Sequence, residues 1–246
     1  MPTRLDLLFF FLTAAITVVD TLVFLPRFKA AAKAGVPNAR RNAYRRTIVG
    51  QWAFAAAAIA LWIRAGRSWT DLGVVPSTSF GVIASLGFIA LMSALIVQQF
   101  RAIRRTTPEA RVALRSKLEY VEYLMPHTRH EFRWFSALCV TAGVCEELLF
   151  RGYLLWLLKA YLGTAAAALL GVVLFGALHI YQGPKGAIKA ALAGGVMTGI
   201  VLLTGWLFPA MVLHALIDLS AGVLGVTVLG GEPPQLDATK PIPIAS

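Results

Sequence analysis

Residues 133–158 read RWFSALCVTAGVCEELLFRGYLLWLL, an apolar run of membrane-spanning length with two acids and a base near its middle. A helix crosses a hydrocarbon core of roughly 30 Å in about 20 residues. Glu146, Glu147 and Arg151 therefore fall where each ionised side chain costs about 2.5–3.5 kcal/mol on insertion scales unless it is paired. Glu147 and Arg151 are four apart, which puts them on one helix face with the acid before the base, and that spacing predicts an ion pair. Glu146 is turned by about 100° from Glu147 and sits five residues from Arg151, so it is the carboxylate left over. A general base is the natural role for it. On these three residues alone, a buried ion network that merely fastens helices is the alternative.

The rest of the chain has the composition of a protein dissolved in lipid. Of 246 residues, 58% are hydrophobic and 14% charged, with a mean hydropathy of +0.70, outside the soluble globular range. Apolar runs predict α-helical spans near 5–25, 48–63, 79–99, 133–158, 163–180, 187–204 and 207–229. The expectation is an all-α polytopic membrane protein of about seven spans, eight if a boundary shifts. It forms a single membrane domain: 1–132 supplies N-terminal helices and basic connections, 133–229 the core, and 230–246 a flexible, Pro-rich tail. Leu5 to Leu25 contains no Lys, Arg or Glu and is followed by no clear cleavage pattern, so it reads as a retained span.

A net charge of +11 raises the question of nucleic acid, but the cations collect in short segments between apolar runs. Arg27, Lys29, Lys33, Arg40, Arg41, Arg45 and Arg46 lie in the first connection; Arg101, Arg104, Arg105, Arg111, Arg115, Lys117 and Arg129 lie in the third. The positive-inside rule places both in the cytoplasm and the N-terminus outside, and makes the lipid bilayer, not nucleic acid, the partner. A bacterial plasma membrane is the expected location. In the third connection Thr107 and Pro108 can start a helix on which Leu114, Leu118, Val121 and Met125 recur at helical spacing, the pattern of an interfacial amphipathic helix. Cys139 and Cys145 form no CxxC pair and read as core thiols. Gly195 and Gly199 form a GxxxG pair that predicts close helix packing.

Two further spans carry polar groups. LFGALHI places Phe175 and His179 four apart, and LFPAMVLHALIDLS places His214 and Asp218 four apart, each pair on one helical face. A lone intramembrane His is usually a hydrogen-bonded packing residue. Two of them with three acids on three spans point to convergence on one cavity. His127 and His130, in the third connection, are assigned no role.

The segments EELLFR (146–151), FGALH (175–179) and HALID (214–218) occur in that order, each in an apolar run. They resemble the signature of the CAAX prenyl protease and bacteriocin-processing (CPBP, or Abi) family of intramembrane glutamic endopeptidases: Glu-Glu-x-x-x-Arg, then Phe-x-x-x-His, then His-x-x-x-Asn or Asp. The resemblance covers roughly 134–228, with DLGVVP (71–76) as a weaker feature before it. It implies that Glu146 and His179 hold and activate the attacking water and that Arg151 fixes Glu147. His214 and Asp218 would stabilise the developing oxyanion, and Phe175 would shape the pocket. The implied substrate is a membrane-associated peptide or protein, lipidated if it ends in a prenylated Cys-a-a-X sequence. One departure matters. Better-studied members carry Asn at the last position, and an amide donates hydrogen bonds whereas ionised Asp218 only accepts them. Asp218 is then either protonated or used to orient His214.

His179, His214 and Glu146 also match the two-imidazole, one-carboxylate set of water-activating zinc hydrolases. No HExxH helix supports zinc, and the resemblance implies a metal-free glutamate mechanism, so no cofactor is firmly implied and zinc stands as the alternative. From a different class, a non-catalytic immunity or regulatory membrane protein would use the same polar cavity for binding. A proton-coupled transporter is disfavoured, because paired, interrupted helices in repeated halves are missing. A geometric conflict accompanies all of these readings: strict alternation puts His179 near the inner end of the fifth span and His214 nearer the outer end of the seventh. One boundary or one crossing is then misplaced; a short or re-entrant sixth span, with its Gly-rich AGGVMTG stretch, could bring them to one depth.

Overall fold

The computed structural model of the chain describes residues 1–76, 79–105 and 107–230. The expected flexible tail lies outside the described residues apart from Gly230. Among the described residues there is no strand and there are eight helices. They are α1 (Arg4–Lys33), α2 (Ala39–Arg64), α3 (Ser79–Arg104), α4 (Pro108–Lys117), α5 (129–162), α6 (Thr164–Leu178), α7 (Pro184–Thr204) and α8 (Phe208–Leu229). Within α5, Arg129–Glu147 passes through a π-helical stretch, Leu148–Leu154, into Leu155–Leu162. Five helices, α1, α2, α3, α7 and α8, are long and apolar enough to cross a membrane. The protein is an all-α polytopic membrane protein. The seven expected spans differ from these five for two reasons: α5 carries the acids and the base, and α6 has only 15 residues, about 22 Å against a core of roughly 30 Å.

The bundle is organised around α5. Helix α2 lies parallel to it, in step from end to end: Arg40 to Glu131 at 3.6 Å, Tyr44 to Phe135 with ring centroids 5.5 Å apart, and Trp62 to Tyr153 at 6.0 Å. Helix α8 runs antiparallel on another side of α5, and glycine makes the close approach. A Cβ at Gly143 would stand 2.6 Å from the Met211 carbonyl oxygen, and one at Gly222 would stand 2.6 Å from the Phe135 ring. Helices α6 and α7 meet in the same way at Gly176, where a Cβ would be 2.7 Å from that of Ala191. The expected GxxxG contact is not among these. A Cβ at Gly199 would meet nothing within 4 Å and one at Gly195 only Val172 at 4.0 Å, so this pair leaves its helix face open.

The two basic connections come together at one end of the bundle. The first is much shorter than its sequence suggests, because Arg27, Lys29 and Lys33 continue α1 and Arg40, Arg41, Arg45 and Arg46 begin α2. Arg40 Nε donates to the Tyr123 carbonyl at 3.0 Å and Tyr44 Oη to that of Leu124 at 2.6 Å. Thr107 caps α4, its Oγ1 accepting from the Ala110 amide at 3.4 Å. The expected amphipathic stripe nevertheless breaks in two, since the helix ends at Lys117. Leu118 and Met125 are instead buried beside Tyr44, Phe135, Cys139 and Leu229. Cys139 and Cys145 are buried free thiols.

At the opposite end, buried Asp6 of α1 is held by the Arg67 guanidinium at 2.8 Å and by the Tyr153 hydroxyl. The sequence reading of α1 as free of Lys, Arg and Glu passed over this acid, and over Asp20, which pairs with Arg46. Next to it the segment 70–76 folds into the bundle. Leu72 is buried, the Leu207 amide donates to the Gly73 carbonyl at 2.8 Å, and both Leu72 and Leu207 lie against Gly152. Helix α8 thus begins level with Gly152, ten residues or about 15 Å below the end of α5. This deep start resolves the conflict over depth. A short or re-entrant sixth span does not occur, as α7 is an unbroken helix of 21 residues.

Candidate active site

The side chains singled out in the sequence are placed by three helices, α5, α6 and α8, and by the turn that follows α6. Glu146 and Glu147 close the α-helical part of α5, and Arg151 lies in its π-helical stretch. Single π-helical turns inside α-helices occur often at functional sites, where they rotate side chains out of α-register. Phe175 is in the last turn of α6, and His179 follows its end, just before the Ile180–Gln182 3-10 turn. Gly183 then starts α7 with φ at +82°, a conformation open to glycine without strain. His214 and Asp218 stand on the second and third turns of α8.

Glu147 is the dry centre of the cluster. Its Oε1 accepts from Arg151 Nη1 at 2.9 Å and from His214 Nδ1 at 2.8 Å. Arg151 Nε also reaches Thr198 Oγ1 on α7 at 3.4 Å, while that hydroxyl donates to the Gly194 carbonyl at 2.8 Å. The guanidinium lies over the Phe175 ring, 4.1 Å from its centroid, where the ring's negative face attracts it. Side-chain exposure here is 0% for Glu147, 3% for Arg151 and 6% for His214. It rises to 19% for Glu146 and 37% for Asp218. One half of the site is sealed and the other is open.

His214 joins the halves. With Nδ1 donating to Glu147, its Nε2 faces Glu146 Oε2 at 3.9 Å and Asp218 Oδ2 at 3.6 Å, both beyond direct hydrogen bonding. His179 connects less directly. Its Nδ1 lies 2.7 Å from the Phe175 carbonyl, an acceptor only, so Nδ1 carries the proton and the neutral ring keeps a lone pair on Nε2. Its ring packs on Phe175 with centroids 4.5 Å apart, and Phe175 meets His214 edge-on at 5.9 Å. No hydrogen bond joins His179 to Glu146 among the described residues. Nor does any group of three His, Cys, Asp or Glu stand close enough there to hold a metal ion.

Three residues at the site went unremarked in the sequence. Gln51 of α2 donates from Nε2 to Glu146 Oε1 at 2.6 Å; its signal was being the sole amide in the apolar run 48–63. Thr198 and Gly194 carry no such signal, because their contacts come only from how α7 meets α5. A Cβ at Gly194 would lie 2.6 Å from Arg151 Nη2 and 3.0 Å from the Phe175 ring. Gly194→Ala is therefore expected to push Arg151 off Glu147, costing about 1–3 kcal/mol, the usual penalty of overpacking. Thermal unfolding in detergent should record the loss; an unchanged transition with unchanged activity would show that the guanidinium has room to move.

Among curated proteins and among solved structures, nothing matches the chain. Residues 128–220 match the family model described as type II CAAX prenyl endopeptidase Rce1-like. That interval holds Glu146, Glu147, Arg151, Phe175, His179, His214 and Asp218, though not Gln51, and supports the CPBP resemblance of the three motifs. Over residues 128–220, then, the chain is similar to the type II CAAX prenyl endopeptidase Rce1-like family.

Proposed function

We propose that this protein is an intramembrane endopeptidase that hydrolyses a peptide bond with a water activated by Glu146. The observation that carries the reading is the opposite treatment of two neighbouring carboxylates. Glu147 is sealed and hydrogen-bonded by two cation-forming donors, Arg151 and His214, whereas Glu146 is part-exposed and, among the described residues, its carboxylate accepts a hydrogen bond from a neutral amide alone, with His214 Nε2 standing off at 3.9 Å. A carboxylate neutralised by a guanidinium makes a fixed anchor. One that keeps its charge beside an opening can take a proton.

In this mechanism Glu146 Oε2 removes a proton as the water oxygen bonds to the scissile carbonyl carbon. The lone pair of His179 Nε2 accepts a hydrogen bond from the water's other O–H, which stays on the oxygen as it attacks. Glu147 holds His214 by Nδ1, which aims Nε2 into the gap, and the protonated ring donates there to the developing oxyanion. A donor of this kind supplies about 2.7–4 kcal/mol in the transition state. Asp218 beside Nε2 acts as an acceptor that orients the His214 ring, in place of the amide donor of Asn-containing relatives. As the carbon–nitrogen bond breaks, Glu146 passes its proton to the leaving amine. Phe175 walls the pocket and seats Arg151.

The test is a proteomic comparison of C-termini and membrane-peptide fragments between cells carrying the protein and cells carrying Glu146→Gln. New termini confined to the first support the reading, and their sequence defines the substrate, prenylated or not. Identical termini in both, with partner protection surviving a Glu146→Gln, His179→Ala double variant, favour the immunity or regulatory alternative. Cleavage lost to chelator and restored by added zinc would replace the metal-free route with a metal-assisted one.

A further inference from the structure

The Rce1-like match begins at residue 128, yet the side chain that hydrogen-bonds the proposed base comes from outside it. Gln51 lies midway along α2, at the level where that helix runs in step with α5. Its amide nitrogen donates to Glu146 Oε1 at 2.6 Å. The next residue fastens the same turn, Trp52 Nε1 donating to Thr141 Oγ1 at 3.2 Å. The other amide atom, Gln51 Oε1, is buried without a partner among the described residues, where no other hydrogen bond holds this side chain. A buried acceptor left bare costs about 1–3 kcal/mol, and the single strong bond to Glu146 is the compensating contact.

A carboxylate has two oxygens and rotates about its last bond, so a base that must meet one water needs one oxygen held and the other free. Gln51 occupies Oε1, while Oε2 is the oxygen that faces His214 Nε2 at 3.9 Å. A lysine or arginine would fix the carboxylate equally well but would neutralise it, as Arg151 does Glu147. A neutral amide orients without quenching the charge that receives the proton. Resting on the proposed role of Glu146, we propose that Gln51 is a positioning residue: its amide holds Oε1 so that Oε2 alone is presented to the gap beside His214. The catalytic geometry is then completed by α2, not by the core helices alone.

The full chain in lipid nanodiscs, labelled with 13C-glutamate, provides a test that does not depend on turnover. Its infrared spectrum minus that of Glu146→Gln isolates the Glu146 carboxylate band. Gln51→Met, close in length but without a donor, should shift that band, and Gln51→His, which restores an N–H, should move it back. On the peptide found to be cleaved in cells, Gln51→Met should lower kcat on the order of 10- to 100-fold, the worth of one hydrogen bond to a charged group. KM and the thermal transition should change little, with partial recovery in Gln51→His. An unmoved carboxylate band overturns the proposal, as does a shifted band with wild-type kcat. If Glu146→Gln itself retains cleavage, the assignment of the base fails, and the band shift still reports whether Gln51 holds this carboxylate.

Discussion

Glu146→Gln is expected to slow peptide hydrolysis by about 10²–10⁴-fold, the contribution typical of a positioned general base, without unfolding the protein. The replacement is isosteric and removes only the ability to take a proton. Its contacts can survive: Gln51 Nε2 would donate to the new amide oxygen as it does to Oε1 at 2.6 Å. The sealed pairing of Glu147 with Arg151 and His214 does not involve Glu146. Single-turnover cleavage in proteoliposomes, with thermal unfolding measured on the same preparation, separates the two effects. Cleavage within a few fold of wild type would remove Glu146 from the role of base and leave His179 or Asp218 to be examined in its place.

The second large effect is on the fold. Arg151→Met should destabilise the bundle by about 3–5 kcal/mol, because it strands a buried partner, and should lower the unfolding temperature in detergent on the order of 10 °C. Arg151 and Glu147 are 3% and 0% exposed. Among the described residues Glu147 Oε2 already lacks a partner, and losing Nη1 would leave His214 as the one remaining donor to this carboxylate there. The double variant Glu147→Gln, Arg151→Met should cost less than the sum of the two single changes, since no unpaired charge remains. Its activity should stay low, because a neutral amide in place of Glu147 no longer supports His214 as the protonated donor, even if it still accepts from Nδ1. Additive losses in that cycle would mean that the pair is not coupled, and a fully active Arg151→Met would show that the anchor is dispensable.

Contacts within one helix were the most legible. The spacing of Glu147 and Arg151 predicts the pair that forms at 2.9 Å, and His214 lies beside Asp218 at the same interval, as Phe175 lies beside His179 just past the end of α6. Contacts between helices were not legible in the same way. His214 meets Glu147 across 67 residues and Gln51 meets Glu146 across 95. Glycine shows the difference plainly: the GxxxG spacing drew attention to Gly195 and Gly199, where a Cβ would meet almost nothing, while neighbouring Gly194 makes room for Arg151.

By itself the sequence determined that this is an all-α membrane protein and which side chains share a helical face. Composition chooses the solvent, and helical periodicity is a local property of the chain. Only the tertiary structure decided that α8 starts deep beside Gly152, bringing His214 level with Glu147, and that α2 delivers Gln51 to Glu146. Both depend on the axial offset between packed helices. That offset is set by whichever residues meet at the contact, for α8 Leu72 and Leu207 against the bare backbone of Gly152, and no repeating pattern along the chain records it.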